Sequence, residues 1–316
     1  MDDRLIDDLA AGLAEALGAS AITDLVRLSG GASRETFRFV ADGRPLILQR
    51  QRSGDVRDMG IEANVLRAVA GIGVPVAELV AASSDPSAIG AAFMVMSAVD
   101  GETIARKILR DAEYAGAREA LTAQLGHALA RLHGADVTGV RGLTQQDQLS
   151  QYRAILDATG QPHPAFELAF RWLTAHRPAP RQPVLVHGDF RMGNIIVGAD
   201  GLRAVLDWEL AHLGDPMEDL GWLCVKAWRF GSSMPVAGVG DYDTLFQAYE
   251  AAGGAPVDPD VALWWEVLGT LKWGIMCIGQ ASAHTTGVAR SHELAAIGRR
   301  VCENEHDLFL ALEGRW

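Results

Sequence analysis

The stretch VLVHGDFRMGNIIV, residues 184–197, decides the fold class of the chain. It places a histidine, an acid and an amide (His187, Asp189 and Asn194) between two runs of branched apolar residues. The runs Val-Leu-Val and Ile-Ile-Val are typical of short buried strands, so the polar residues between them lie in a loop that the core holds at both ends. A loop fixed in this way is suited to carry side chains that act in chemistry.

A second acidic motif, VLDWE at 205–209, follows at the end of another apolar run. We expect two strands flanking a short turn to bring Asp189, Asn194 and Asp207 to one edge of a sheet. Amide and carboxylate oxygens suit Mg²⁺, and a carboxylate that binds no metal can orient an attacking hydroxyl and accept its proton. This is the set of groups that phosphoryl transfer requires.

Composition limits the class of protein. With 316 residues and 49% hydrophobic content, the chain can build one large or two modest domains. The net charge of −12 argues against nonspecific binding to nucleic acid, whose phosphates need a basic surface. The acidic N-terminus and the lack of an apolar run of about 18 residues predict neither a signal peptide nor a membrane span, so we expect a cytoplasmic protein.

Three cysteines, Cys224, Cys277 and Cys302, are widely spaced in apolar contexts. Their odd number and their spacing argue against a disulfide framework and against a thiolate zinc site. We expect all three to be buried thiols.

Hydrophobic periodicity predicts two lobes. Asp42-Gly43 is a strong hairpin signal between the stretches TFRFV and PLILQ, and Leu121, Leu125, Leu129 and Leu132 mark one face of a long helix. The elements predicted before residue 100 are a helix over 3–18, two strands within 24–49, a helix around 61–69, and strands at 74–76 and 91–99. The fold class is α+β, with a small β-rich lobe over 1–98, a larger, mainly helical lobe over 99–316, and a cleft between them for ligands.

These motifs resemble those of a known family. HGDFRMGN is similar to the catalytic loop of the aminoglycoside phosphotransferase and choline kinase group, which are relatives of protein kinases, and LDWE stands where kinases have Asp-Phe-Gly. The resemblance continues in the right order through LSGGASRETFRF, IEANVLRAV, FMVMSAVDG, LARLHGADV and HLGDPMEDLGWL. The C-terminal ELAAIGRRVCENEHDL resembles the subgroup whose relatives occur fused to acyl-CoA dehydrogenases.

The resemblance implies a two-lobed protein-kinase-like fold that uses ATP and Mg²⁺. It implies that Asp189 is the catalytic base, that His187 braces the catalytic loop, and that Asn194 and Asp207 are the magnesium ligands. The nucleotide would lie against two segments: Gly30, Gly31, Ala32 and Ser33 over the phosphates, and Met96, Ser97 and Val99 beside adenine. Asp215 and Asp219 are expected to fix the loop and to cap the helix that follows it.

One position departs from the family pattern. The family usually has a lysine or arginine near the end of the third strand, which pairs with the helix glutamate, here Glu62. LILQR puts Gln49 at that position and Arg50 one residue later, and only one of the two can point into the cleft because side chains alternate along a strand. Either a basic residue is shifted or the nucleotide site is impaired.

The acceptor site is predicted in the helical lobe, where Trp265 and Trp273 supply apolar surface. A polycationic aminoglycoside would call for a concentrated acidic lining, for which Asp241 and Glu266 are available. The stretch around them is nevertheless apolar and carries Lys272, which suits an anionic acceptor. We therefore expect a small-molecule hydroxyl acceptor, with a hydroxy acid or its acyl-CoA thioester favoured over an antibiotic.

Three alternatives stay open. An aminoglycoside-type antibiotic kinase is one, and a nucleotide-binding pseudokinase with a scaffolding role, which Gln49 makes conceivable, is another. A metal-dependent phosphoesterase would need more metal-ligating histidines than the sequence places near the loop. Because symmetric homodimers are common, a homodimer is expected as readily as a monomer.

Overall fold

The computed structural model describes residues 3–28, 34–52 and 57–315 of the chain. Gly30, Gly31, Ala32 and Ser33, which were predicted to cover the nucleotide phosphates, lie outside the described residues.

The N-terminal lobe is an antiparallel sheet with one helix on each face. In chain order its elements are α1 Asp3–Leu17, β1 Ile22–Arg27, β2 Arg34–Ala41, β3 Arg44–Gln51, α2 Met59–Val69, β4 Leu79–Ser83 and β5 Phe93–Ser97. The described strands are ordered β1-β2-β3-β5-β4, with every neighbouring pair antiparallel. The hairpin predicted at Asp42-Gly43 joins β2 to β3, and both turn residues have positive φ as that turn requires.

The two faces of this sheet bury different partners. Phe37 and Leu48 pack with Leu13 of α1 in a cluster of their own. On the opposite face Met94 packs with Val65 of α2, in a cluster that continues into the C-terminal lobe. Because strand side chains alternate, each residue of β2 and β3 is assigned to either the α1 face or the cleft face.

The C-terminal lobe is mainly helical. Its helices are α3 Ala105–Arg110, α4 Ala115–His133, α5 Gln148–Thr159, α6 Pro164–Ala175, α7 Met217–Cys224, α8 Tyr242–Ala251, α9 Pro259–Thr285, α10 His292–Gly298 and α11 Val301–Leu312. Four short strands, β6 Val184–Val186, β7 Ile195–Gly198, β8 Gly201–Val205 and β9 His212–Gly214, form two ribbons, β6 with β9 and β7 with β8. The α+β, two-lobed kinase-like fold class is confirmed.

Helix α9 runs through the middle of the helical lobe. It is long and apolar enough to cross a membrane by length and composition, but 78% of its most apolar window is buried inside the fold. It packs against α7, α10 and α11. The apolar composition of α9 is therefore that of a core helix.

The connection between the lobes packs closely on the β7 ribbon. Gly101 has φ of +151°, and a Cβ there would lie 2.5 Å from Cγ2 of Ile196. The next residue, Glu102, exchanges two backbone hydrogen bonds with Val197, at 2.9 and 3.0 Å. Only glycine allows the connection to approach the ribbon this closely.

Three predictions about local structure were wrong. Residues 74–76 are not a strand: Pro75 has no amide hydrogen, and its carbonyl accepts from the amide of Val205 at 2.8 Å, so this segment is drawn to the β8 ribbon. The strand β1 was missed because four of its six residues are exposed and carry no alternating apolar pattern. Cys302 is exposed, whereas Cys224 and Cys277 are buried as predicted.

Candidate active site

The carboxylate of Asp219, on α7, holds the loop between β6 and β7. The carboxylate of this fully buried residue of α7 accepts from the amides of His187, at 2.7 Å, and Gly188, at 2.9 Å, and contacts Nε2 of His133 at 3.3 Å. Burial alone would raise the pKa of Asp219, but these donors and the two histidines hold it below its usual value. Asp215 accepts from the amide of Met217 at the start of α7. Both acids thus make the contacts expected of them.

His187 connects the loop to the strand that precedes Asp207. Its Nε2 donates to the carbonyl of Leu206 at 2.9 Å, and its Nδ1 accepts from the amide of Asp189 at 3.1 Å. Burial lowers the pKa of His187 more than the nearby carboxylates raise it. A neutral ring with its proton on Nε2 satisfies both contacts, so His187 acts through position and not through charge.

Gly188 permits the sharp turn of the loop. Its φ is +78°, and a Cβ at this position would lie 2.6 Å from the carbonyl oxygen of Leu210. The carbonyl of Gly188 accepts from Nζ of the buried Lys272 at 2.9 Å. The loop is therefore fixed by contacts on both its donors and its acceptors.

Asp189 lies in the middle of the loop and is 8% exposed. Its Oδ1 accepts from Nε1 of Trp222 at 2.8 Å and from Nε of Arg191 at 2.9 Å. Its Oδ2 accepts from the side-chain Nδ2 of Asn194 at 2.6 Å. A carboxylate has about four acceptor positions, so these three donors fix its orientation and leave a lone pair on Oδ2.

Asn194 and Asp207 are brought together by a backbone contact. The carbonyl of Asn194 accepts from the amide of Leu206 at 2.8 Å. The amide nitrogen of Asn194 faces two acceptors on Asp189, so its oxygen is directed away from that residue. Asp207 has φ of +64°, an uncommon conformation for a non-glycine residue.

Electrostatics at Asp207 suit a bound cation. Its pKa is raised to about 7, first by burial and then by the charges of Glu209, Asp189 and Glu62. Within the described ranges no three His, Cys, Asp or Glu side chains are grouped to hold a metal ion. Asn194 and Asp207 would therefore offer two oxygen ligands, which fits Mg²⁺ because this ion commonly takes its remaining ligands from water and phosphate. The predicted pair of strands around a short turn is the β7–β8 hairpin, which has Asn194 directly before its first strand and Asp207 shortly after its second. Metal binding by these two residues stays a prediction.

Gln49 and Arg50, the two candidates for the position where the family carries a basic residue on β3, lie on opposite faces of the sheet. Gln49 lies on the cleft face, where its Oε1 accepts from Nη1 of Arg34 at 3.0 Å. Arg50 lies on the α1 face, where it donates to Glu35 at 2.9 Å and to the carbonyl of Ile89 at 3.1 Å. The prediction that Arg50 could contact the nucleotide is therefore wrong, because its side chain is on the far side of the sheet.

Glu62 has a buried ion pair, but not with β3. Its carboxylate is in contact with Nη1 of Arg34, the first residue of β2. Burial raises the pKa of Glu62, and Arg34 opposes that shift. The predicted pairing of the helix glutamate with a basic residue near position 49 is corrected to a pairing with the neighbouring strand.

The residues predicted to meet adenine lie at the end of β5. Met96 is buried on the cleft face, in the cluster shared with α2. Ser97 is hydrogen-bonded to Glu78, the residue before β4. Its amide donates to the carbonyl of Glu78 at 2.9 Å, and its hydroxyl accepts from the Glu78 amide at 3.0 Å. Val99 is half-buried at the edge of the same cluster. The contact of these residues with a nucleotide stays a prediction.

Two acids predicted to line the acceptor site are already engaged. Glu266 is 2% exposed and accepts from Arg229 at 2.7 Å and from the Tyr242 hydroxyl at 2.9 Å. Asp241 is the N-cap of α8 and accepts from the amide of Thr244 at 2.8 Å. Neither carboxylate is arranged to receive a polycation, so their assignment to the acceptor is corrected.

The other predicted acceptor residues, Trp273, Lys272 and Trp265, lie in three different environments. Trp273 is buried against Trp228, its ring centroid 4.8 Å away, and belongs to the core. Lys272 lies 4.6 Å from the ring centre of Trp222 and supports the loop from below. Trp265 lines a surface cavity of about 530 Å³ that also contains Arg177. The predicted acceptor residues do not form one pocket in this structure.

Three residues of the site were not predicted. Arg191 lies inside the loop motif, Trp222 lies in the helix after it, and Arg34 follows the predicted phosphate loop, but none of the three was assigned to the site. Arg191 also stacks on Trp228, with its guanidinium carbon 4.6 Å from the ring centre. Only Arg191 had a sequence signal, its position two residues after Asp189 in the loop.

The fold and the loop together define a kinase-like phosphotransferase. The sequence model of the phosphotransferase enzyme family matches residues 24–263, and the chain belongs to this family. Acyl-CoA dehydrogenase family member 10 of Mus musculus is 32% identical over 234 residues, which are 67% of this chain and 21% of the mouse protein. The chain spans less than a third of the length of the curated relatives that it matches first.

Solved structures share the fold over the whole chain. A Ralstonia eutropha protein considered to be an aminoglycoside phosphotransferase has a TM-score of 0.75 at 22% identity, covering 99% of this chain and 98% of its own. A thermostable mutant of aminoglycoside phosphotransferase APH(4)-Ia, in complex with ADP and hygromycin B, has a TM-score of 0.63 at 17% identity and covers 95% and 96%. At these identities the similarity shows the fold alone.

Proposed function

We propose that the chain is an ATP- and Mg²⁺-dependent phosphotransferase that moves the γ-phosphoryl group to a hydroxyl of a small molecule. The observation that carries this proposal is the environment of Asp189, whose carboxylate is oriented by Trp222, Arg191 and Asn194. A fixed carboxylate with one remaining lone pair is suited to orient a hydroxyl and to take its proton.

The chain's own residues divide the work. Asp189 holds the acceptor hydroxyl at Oδ2 and accepts its proton as the hydroxyl oxygen bonds to the γ-phosphorus. The bond from that phosphorus to the bridging oxygen breaks in the same transfer, and ADP leaves. Arg191 lies beside it with 24% of its side chain exposed, so its outer N–H groups can stabilise the charge on the transferred phosphoryl group. Asn194 and Asp207 would hold Mg²⁺, which when bound neutralises charge on the phosphates.

The support for ATP comes from the family and its fold, because the APH(4)-Ia structure with the same fold contains ADP. The nucleotide would enter between the cleft face of the sheet and the catalytic loop. Its adenine would lie beside Met96 and its phosphates beside the segment before β2. This arrangement uses the N-terminal lobe, proposed over 1–98, for the nucleotide and the lobe over 99–316 for the acceptor.

For the acceptor we propose a hydroxy acid or its acyl-CoA thioester. Glu266 and Asp241 are engaged within the protein, so these two acids do not form the concentrated acidic lining that an aminoglycoside would call for. Arg191 instead presents positive charge next to Asp189. The similarity to acyl-CoA dehydrogenase family members supports an acceptor from acyl-CoA chemistry.

The test is ADP release from Mg-ATP with hydroxy acids, hydroxyacyl-CoA thioesters, choline and aminoglycosides. We expect turnover with one of the first two classes, and a loss of about 10²- to 10⁴-fold in Asp189→Asn, the range for removing a general base. Asp200→Asn, an equivalent change at a highly exposed carboxylate, is the matched control and should keep full turnover. Turnover that survives in Asp189→Asn would overturn the assignment of the base.

A nucleotide-binding pseudokinase is the second candidate. It is favoured by Gln49, the neutral residue that faces the cleft where the family usually carries a cation. This candidate predicts binding of ATP without ADP release for every acceptor in the panel. Detectable turnover with any acceptor, abolished in Asp189→Asn, would exclude it.

A further inference from the structure

A chain that binds ATP, as the proposed function requires, needs a basic group to meet the nucleotide phosphates. Because side chains alternate along β3, Arg44 and Arg50 point to the same face as Leu46 and Leu48, the face that α1 covers. Gln49 is the polar residue that β3 directs toward Arg34 on the cleft face. Strand β3 therefore supplies no cation to the cleft.

Arg34 occupies the place of the missing cation. In the β2–β3 register Arg34 is opposite Gln51 and Thr36 is opposite Gln49, so all four side chains share the cleft face. Nη1 of Arg34 reaches Gln49 at 3.0 Å and is in contact with the carboxylate of Glu62. The ion pair that the family makes between β3 and helix α2 is thus made from β2.

The guanidinium is buried but not saturated. Arg34 is 4% exposed, and its Nε donates to no acceptor within the described part of the chain. Its Nη2 is 3.7 Å from Glu209, which is too long for a hydrogen bond. A buried cation with N–H groups left over is costly unless a further acceptor completes its coordination.

The position of Arg34 indicates what that acceptor is. It directly follows Ser33, the last residue of the segment predicted to cover the phosphates. In the folded chain its Nη2 lies 3.7 Å from the carboxylate of Glu209, two residues after the predicted metal ligand Asp207. Arg34 therefore adjoins the predicted phosphate loop in the sequence, and its guanidinium faces the segment that carries the predicted metal ligand Asp207.

We propose that Arg34 is the phosphate-binding cation of this chain, supplied from β2 in place of the basic residue that the family carries on β3. Gln49 and Glu62 hold the guanidinium by Nη1, which leaves the other edge of its planar fork for phosphate oxygens. On this view Gln49 is part of the nucleotide site and not a sign of its loss.

The test compares the binding of Mg-ADP and of adenosine to the full chain by calorimetry. Arg34→Met should weaken Mg-ADP by about 10- to 100-fold, as expected for lost charge-assisted hydrogen bonds, and adenosine much less. Arg50→Met removes the same charge from the opposite face of the sheet and should change neither affinity. The double variant Arg34→Met/Gln49→Lys moves the cation back to β3 and should recover part of the Mg-ADP affinity.

Arg34→Lys is the second variant, in case the methionine variant does not fold. It keeps the charge and loses the fork, so its Mg-ADP affinity should be intermediate. The inference is overturned if Arg34→Met binds Mg-ADP like the wild type, or if both ligands weaken equally, which is what a purely structural role predicts. If the wild-type chain bound neither Mg-ADP nor adenosine, the proposed function itself would be wrong. That result differs from normal Mg-ADP binding by Arg34→Met, which would contradict only the role of Arg34.

Discussion

The catalytic loop and the nucleotide face of this molecule are built in opposite ways. The loop takes its three central residues, His187, Asp189 and Asn194, from one stretch of eight. The nucleotide face assembles Arg34, Gln49 and further charged groups from separate segments of the chain. A motif can therefore predict the first, whereas the second exists only once the sheet has formed.

The two regions also differ in how completely their polar groups are paired. Asp219 and Asp189 each accept several hydrogen bonds at 2.6 to 2.9 Å. On the nucleotide face, Nε of Arg34 has no acceptor among the described residues, and burial raises the pKa of Glu62. The catalytic loop is therefore preorganised, whereas the face around Arg34 keeps a buried donor without an acceptor among the described residues.

The largest expected effect tests whether the loop is held by Asp219. Asp219→Asn places an amide N–H against one of two backbone donors, so we expect the free energy of unfolding to fall by about 2 to 4 kcal/mol. Chemical denaturation measures this change. The matched control is Asp241→Asn, which should be nearly neutral because asparagine is an equally good N-cap. If both variants lost the same free energy of unfolding, the buried carboxylate of Asp219 would contribute no more to stability than the exposed N-cap Asp241, and the prediction would be wrong.

A smaller effect is expected where α7 contacts Asp189, the proposed catalytic base. Trp222→Phe removes the Nε1 donor to Asp189 and keeps an aromatic ring in the cluster. One lost hydrogen bond to a charged group should lower kcat by about tenfold and leave KM for ATP unchanged. Trp273→Phe is the control, since Nε1 of Trp273 is buried without a partner among the described residues. A fall in kcat that is the same in both variants would assign the effect to packing.

The sequence predicted the loop because its chemistry is local. The branched runs beside Asp189 predicted strands, and the spacing to Asn194 and Asp207 predicted an oxygen donor set. It misjudged the acceptor residues for a physical reason: Glu266 is neutralised by Arg229 from a distant segment, and periodicity carries no information about such a partner. The same limit applies to β1, whose exposed residues give no apolar alternation.

The Gln49 question shows this limit most clearly. Alternation correctly required that one of Gln49 and Arg50 face the cleft, but it did not identify which one. That depends on the register with β2 and on which face α1 covers, both of which are properties of the assembled sheet. The charge of Arg34 was visible in the sequence, but its proximity to Glu62 was not.

The smallest expected effect concerns the polar support behind the loop. His212 of β9 is 1% exposed, with Nδ1 2.8 Å from the carbonyl of Leu210 and Nε2 3.1 Å from Glu218. Burial lowers the pKa of His212, and so does Lys272, but the hydrogen bond and charge of Glu218 outweigh both and raise it above its usual value. The folded chain therefore holds this proton more tightly than the unfolded chain does.

The sign of the pH dependence follows from that difference. A raised folded-state pKa contributes stability that is fully present below about pH 6.5, the pKa of unfolded histidine, and is lost as pH rises through the folded pKa. The difference in free energy of unfolding between wild type and His212→Gln should therefore be constant below about pH 6.5 and shrink as pH rises from there through the folded-state pKa. His127→Gln, at an exposed histidine, should show no such trend. A difference that grew with pH would mean that His212 is neutral in the fold, and its contact with Glu218 behind the catalytic loop would then not be a charge pair.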